Sequence, residues 1–288
     1  MGQARKGWVQ ADKSKLLARV AQADPVRGEA IYRTKQLQCI SCHAVAGAGG
    51  LVGPDMTSIG ASAQPDYLLD SLLEPSKQIK EGYHTAIVST DDGKIITGVR
   101  VRQNDAEVLL RLADGKEVTV AKSRIEEIKD GKSLMPEALA DTLTDTELAD
   151  LVRFLSELGK AGPYAPSTKP LVRTWQVLED TPPARAWLTR ASTATPPANL
   201  TWIVAYSRVS GELPLEGLPT VNGRVVVRLP QAPPGMGRAK IEFKDAGPAE
   251  YLANGKDKLA SGATLPPGSL IVTPQLPNAR VTAEWQTR

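Results

Sequence analysis

The spacing of apolar residues divides the chain into helical and extended stretches. Residues 12–22 read as a short helical lead-in. Asp24-Pro25 then offers a capping side chain followed by proline at the first helical position. The helix it opens carries Ile31 and Tyr32 and, with Leu37 following, leads the chain to Cys39. A glycine-rich loop over 47–53 runs into Gly53-Pro54-Asp55. Tyr67, Leu68, Ser71 and Leu72 recur at helical spacing until Pro75 stops them. Thr144-Asp145-Thr146-Glu147 is a capping box, in which hydroxyl and carboxylate each satisfy a free backbone donor. Leu148, Leu151, Val152, Leu155 and Leu158 form one stripe behind it, and Gly159 suits the position after the helix end.

Between these helices the period changes. Residues 84–90, 94–101, 107–112, 117–120 and 124–128 are β-rich, and three turn-forming clusters separate the first four. Five short strands in one insertion predict a small barrel of the SH3-like or Sm-like kind. Residues 161–170 form a linker. Beyond it the pattern is all-β, with strands at 171–178, 200–206, 224–229, 239–243, 270–273 and 281–285 between proline-rich turns. That pattern predicts a β-sandwich. Most of the 22 prolines lie in this half, and Asn254-Gly255 adds a hairpin signal.

Composition changes this picture little. A net charge of +3 without long like-charge runs gives no reason to expect nucleic acid or a membrane surface as partner. No apolar stretch approaches the roughly eighteen residues of a membrane span. With aromatics at only 5%, a bulky planar cofactor could supply core volume that side chains do not.

The two cysteines carry the chemistry. Both belong to Cys39-Ile40-Ser41-Cys42-His43, which excludes a disulfide framework. Two thiols three residues apart can add to the two vinyl groups on one edge of a porphyrin, and the following imidazole then meets the iron. The motif therefore predicts one covalent haem c with His43 as an axial ligand. Three other readings compete. A redox-active pair would follow a strand, whereas a helix precedes this one. A zinc site would need Cys39, Cys42, His43 and His84 to converge. Plain buried cysteines leave His43 and the Gly-Pro-Asp loop unexplained. Of the four methionines, Met1 is terminal, Met236 lies in the β half, and Met56 sits close after His43. Met135, in Ser133-Leu134-Met135-Pro136, is the favoured thioether ligand, with core filler as its plainer role. A His/Met pair raises the haem potential because soft sulfur favours ferrous iron.

The ordered set Asp24-Pro25-x-x-Gly28, Tyr32, Cys39-x-x-Cys42-His43, Gly53-Pro54-Asp55, Met135-Pro136, Leu143-Thr144-x-x-Glu147 and Leu151-Val152-x-Phe154-Leu155 resembles class I cytochrome c. More narrowly, residues 67–77, Gly82-Tyr83 and Ser133-Leu134-Met135-Pro136-Glu137 resemble the haem-binding domain family of planctomycetes and verrucomicrobia, over about 24–159. The resemblance implies Met135 as the distal iron ligand and a Pro54 carbonyl that accepts the ring N–H of His43. It also implies that the Gly28 helix crosses the terminal helix near Leu148, Leu151 and Val152, with Gly28 allowing close approach. The insertion at about 84–130 departs from ordinary cytochromes c and bears on how the Met135 loop is held.

The expected fold class is α+β and multidomain. A lead-in over 1–23 precedes a cytochrome c-like α domain over 24–83 and 131–160. A small β-barrel-like insertion at 84–130 interrupts it, and a linker and a β-sandwich at 171–288 follow. The expected function is one-electron transfer by a monohaem c-type cytochrome rather than enzyme catalysis, with a redox partner protein or fused dehydrogenase. Haem c is attached outside the bacterial cytoplasm, so a periplasmic or otherwise exported protein is expected. Its N-terminus lacks a signal peptide's apolar core, as in a mature form or a piece of a longer protein. A haem enzyme or gas sensor with labile or absent Met135 is the second expectation. The third is a binding module that recognises a partner or carbohydrate. Trp175, Trp187, Trp202 and Trp285 would stack sugars in that case, and pack a sandwich core otherwise.

Overall fold

The computed structural model describes residues 10–34, 37, 39–190, 196–251 and 257–288. The Asn254-Gly255 hairpin signal, Met1 and the N-terminal residues lie outside them. The protein is mixed α+β, with several antiparallel sheets and, among the described residues, seven helices. It divides into two compact units, Met1–Pro166 and Ser167–Arg288, whose boundary falls inside the 161–170 segment.

The first unit opens with helices α1 (Gln10–Val20) and α2 (Pro25–Tyr32). Asp24 caps α2 by accepting from the backbone N–H groups of Val26 and Arg27. A single turn, α3 (Cys39–Cys42), leads into the hairpin β1 (His43–Val45) and β2 (Ala48–Leu51). The expected glycine-rich loop is thus in large part a strand pair, in which His43 stands opposite Leu51. Helix α2 also stops at Tyr32, well short of Cys39. Helices α4 (Ile59–Ser62) and α5 (Pro65–Leu73) follow. The unit closes with α6 (Asp145–Glu157), whose capping box is formed as expected.

All five residues of the α6 stripe are buried. Each such side chain contributes roughly 1.5–3 kcal/mol. The close crossing of α2 and α6 centres beside that stripe. A β-carbon on Gly28 would overlap the carbonyl of Asp150 and crowd Phe154. Phe154 in turn meets Tyr32 (ring centroids 5.5 Å) and the edge of Tyr164 (5.3 Å). The Asp150 carboxylate binds the crossing further, accepting from the Asp24 N–H (2.7 Å) and from Arg27 Nε (2.8 Å).

The segment between α5 and α6 folds as β3 (Thr85–Thr90), β4 (Ile95–Gln103), β5 (Glu107–Arg111), β6 (Glu117–Ala121) and β7 (Ile125–Asp130). These strands form one antiparallel sheet in the order β6-β5-β4-β3-β7. Ala86, Val88, Val108, Leu110 and Val120 are its buried core.

The second unit contains β8 (Thr174–Leu178), α7 (Pro182–Arg190), β9 (Trp202–Tyr206), β10 (Leu213–Pro214) and β11 (Arg224–Arg228). Then come β12 (Met236–Lys244), β13 (Ala249–Tyr251), β14 (Asp257–Leu259), β15 (Thr264–Leu265), β16 (Leu270–Pro274) and β17 (Arg280–Thr287). They pair as a four-stranded sheet, β10-β17-β12-β15, and a six-stranded one, β14-β13-β16-β11-β8-β9. Residues of both sheets, among them Trp175, Val227, Ile241 and Val281, share one core, which is compatible with a β-sandwich. Helix α7 breaks the all-β expectation. Its Ala184 and Trp187 cover a second apolar cluster with Val226 and Val272.

Candidate functional site

The α3 turn puts Cys39 and Cys42 three residues apart, the spacing that brings helical side chains onto one face. Both thiols are free and partly exposed. Burial pushes the Cys39 thiol up to about 11 and the Cys42 thiol up as well, so both are protonated at neutral pH.

His43 follows directly and is held from three directions. Its backbone pairs with β2. Its carbonyl accepts from the Tyr32 hydroxyl at 2.7 Å. Its ring Nδ1 lies 2.8 Å from the carbonyl oxygen of Pro54. A carbonyl only accepts, so Nδ1 carries the hydrogen and Nε2 keeps its lone pair. Burial holds the imidazole below its ordinary pKa despite the opposing Pro54 bond. The ring is thus a neutral donor at neutral pH.

Two glycines make room for this arrangement. A β-carbon on Gly53 would overlap the His43 ring, and its N–H is bonded to the Cys42 carbonyl at 2.8 Å. A β-carbon on Gly50 would overlap the carbonyl of Ser41. Downstream, the Met56 N–H reaches the Ala44 carbonyl (2.8 Å) and Thr57 Oγ1 accepts from Ala46 (2.7 Å). The Cys39–His43 segment is therefore fixed on both flanks.

Met135 lies half-buried outside any regular element, between β7 and a 3₁₀ turn at Leu139–Thr142. Its N–H donates to Ser133 Oγ at 3.2 Å, and Ser133 N–H donates to Ser76 Oγ at 3.3 Å. Thr85, at the start of β3, gives its hydroxyl to the Lys132 carbonyl at 2.6 Å and accepts the Gly131 N–H on its own carbonyl. Ser76 and Thr85 were not singled out from the sequence. Each meets this loop across more than fifty or nearly fifty residues, a juxtaposition no local pattern carries. The Tyr32 hydroxyl bond to His43 was not foreseen either, although Tyr32 belonged to the expected helix.

The competing candidates separate. Among the described residues, no group of three or more His, Cys, Asp or Glu side chains stands together as a metal site, so the four-ligand zinc set does not converge. His84 is half-exposed and faces Glu81 at 3.9 Å. Asp91 and Asp92 sit in the β3–β4 turn, tied to Arg124 and Lys94. Trp175, Trp187 and Trp285 are buried, which breaks the four-tryptophan platform. Trp202 remains partly exposed, with the Arg228 guanidinium 3.8 Å from its ring centre. No helix among the described residues is long and apolar enough to cross a membrane. No protein-family model matches the chain, and no curated protein matches it significantly.

Proposed function

We propose that the chain is a monohaem c-type cytochrome whose task is one-electron transfer, with its first unit a cytochrome c-like domain interrupted by a barrel-like insertion. The observation that carries the reading is His43. Directly after two free thiols, its ring is fixed by Pro54 and its Nε2 lone pair is left available. The residues fit the group. Cys39 and Cys42 would tether it through two thioethers, and His43 Nε2 and the Met135 thioether would be its iron donors. Haem c, when bound, would supply a ferric/ferrous couple that both donors can hold without exchange. Pro54 fixes the tautomer and raises the basicity of the His43 donor. Gly53 supplies the space the ring occupies. The partner is a redox protein or fused dehydrogenase, and the setting is the periplasm or another exported compartment.

The spare anchoring of the Met135 segment favours a second reading, a haem enzyme or gas sensor in which that thioether is displaced. One experiment tests both. The chain is matured with haem in an exporting host, and its spectrum is compared with that of Met135→Ala. Haem retained through denaturation, with a weak red charge-transfer band lost in Met135→Ala, is the expected result. A high-spin ferric spectrum with fast cyanide binding in the unaltered protein would replace the first reading with the second. No covalent haem at all would overturn both.

A further inference from the structure

The inserted sheet touches both segments that carry the two candidate donors. On the Met135 side, Thr85 is 1% exposed and binds Lys132 and Gly131, the first residues of the methionine loop. On the His43 side, Arg111 of β5 donates through Nη1 to the Leu51 carbonyl at 3.0 Å. Leu51 is the residue opposite His43 in the β1–β2 pair. Arg111 is itself aimed by Glu117 on β6, which accepts from Nε and Nη2 at 3.1 and 2.8 Å. Thr85 and Arg111 belong to the same sheet, connected through β3, β4 and β5.

We propose that the inserted sheet is a strut that spaces the two donor-bearing segments, with Thr85 the positioning residue for the Met135 loop and Arg111 its counterpart on the hairpin. This rests on the haem reading above. The two ends are unequal. The hairpin keeps the Tyr32, Gly53, Met56 and Thr57 bonds when Arg111 is lost. The methionine loop has far less in reserve. Beyond Thr85 it has two Ser76 bonds, to Ser133 and to Glu137, each at 3.3 Å, and the exposed Lys132–Glu137 pair. The inserted sheet therefore acts mainly on the thioether side. Whatever displaces β3 displaces Met135 before it displaces His43.

The test uses the full haem-loaded chain in three forms, Thr85→Val, Thr85→Ser and Arg111→Gln, beside the unaltered protein. The readouts are the red sulfur-to-iron band, the midpoint potential and the affinity of the ferric form for added imidazole. Thr85→Val keeps shape and removes the hydroxyl. It should raise imidazole affinity about tenfold, the fold-change that loss of one part-buried bond near 1.4 kcal/mol produces. It should also weaken the band and lower the potential. Thr85→Ser should restore all three, and Arg111→Gln should change affinity about twofold or less. Unchanged imidazole affinity and potential in Thr85→Val, in a protein that still shows the band, would overturn the strut while leaving the haem reading intact. An unaltered protein without the band would remove the haem/Met135 reading itself. If Thr85→Val does not mature, Thr85→Ala, which also removes the hydroxyl, gives the same comparison with Thr85→Ser, and an unaltered imidazole affinity in Thr85→Ala counts against the proposal.

Discussion

His43 and Met135 were both expected as iron ligands, yet the chain holds them in very different ways. His43 sits where a helical turn becomes a strand, with its carbonyl, ring and neighbours all bonded. Met135 sits on a segment without regular structure, steadied by the hydroxyl of nearby Ser133 and those of distant Ser76 and Thr85. The difference is one of redundancy. Removing one bond near His43 leaves several, whereas removing Thr85 takes away the shortest contact the methionine loop makes. Under the haem reading proposed above, the first arrangement suits a donor that stays bound and the second a donor able to leave.

The largest blow to the histidine side should come from a residue that is not polar at all. Gly28→Ala forces α2 away from Asp150 and Phe154, and Tyr32 moves with α2. Overpacking of a helix crossing costs about 3 kcal/mol, read as a shifted denaturant midpoint. A shift under about 1 kcal/mol would mean that the crossing adjusts and that His43 is less rigidly backed than its bonds imply. Tyr32→Phe is the finer cut. It leaves the aromatic packing and removes one hydroxyl bond, for an expected loss of about 1 kcal/mol. Amide exchange should then quicken at 43–51 and stay unchanged at 131–137. Ser76→Ala should do the reverse at a cost of about 0.5 kcal/mol, since its bonds are long and one of them is exposed. Equal exchange rates in the two segments of the unaltered chain would end the comparison.

The histidine side was also the more legible one in the sequence, because its signals are local. Asp24-Pro25 and Thr144–Glu147 specify helix starts within four residues, and both caps form. The β-rich runs of the insertion lie within a few residues of the strands observed. The Pro54–His43 bond followed from a resemblance whose motif residues are eleven apart. The hairpin over β1 and β2 was hidden because glycines weaken any strand signal, and Gly49 there adopts φ +122°. Helix α7 was hidden by Pro182-Pro183, which reads as a turn until Thr181 is seen accepting the Ala184 N–H. Strands such as β10 and β15 span two residues, too short for any period. The methionine loop is held by Ser76 and Thr85, more than fifty and nearly fifty residues away, so only the folded arrangement reveals it.

The smallest expected effect probes how far the methionine side extends. Lys13 on α1, with 9% of its side chain exposed, bonds both Asp70 (2.9 Å) and Glu74 (2.8 Å) at the end of α5. Lys77 bonds the same two carboxylates from the following turn. Ser76, which anchors the methionine loop, lies within this cluster's stretch of chain. The hydrogen bonds from Lys77 and Lys13 hold Asp70 below its ordinary 3.8, and those from Lys13 and Lys77 hold Glu74 below 4.5. Depressed carboxylates stabilise the fold above their unfolded values and lose that contribution as pH falls through the folded ones. Lys13 is shifted the other way, raised above 10.5 by Glu74 and Asp70, so its contribution persists until pH climbs past that value. Between about pH 5 and pH 10 the cluster should therefore be insensitive to pH. As pH falls through their depressed folded values the carboxylates protonate, α1 loosens from α5, and amide exchange should quicken at 131–137 relative to 43–51. Lys13→Met, which keeps the stem and removes the charge, should weaken that acid dependence and leave the part carried by Lys77. Acid quickening at 43–51 to the same degree would show that α1 supports both sides alike and that the asymmetry ends at the loop itself.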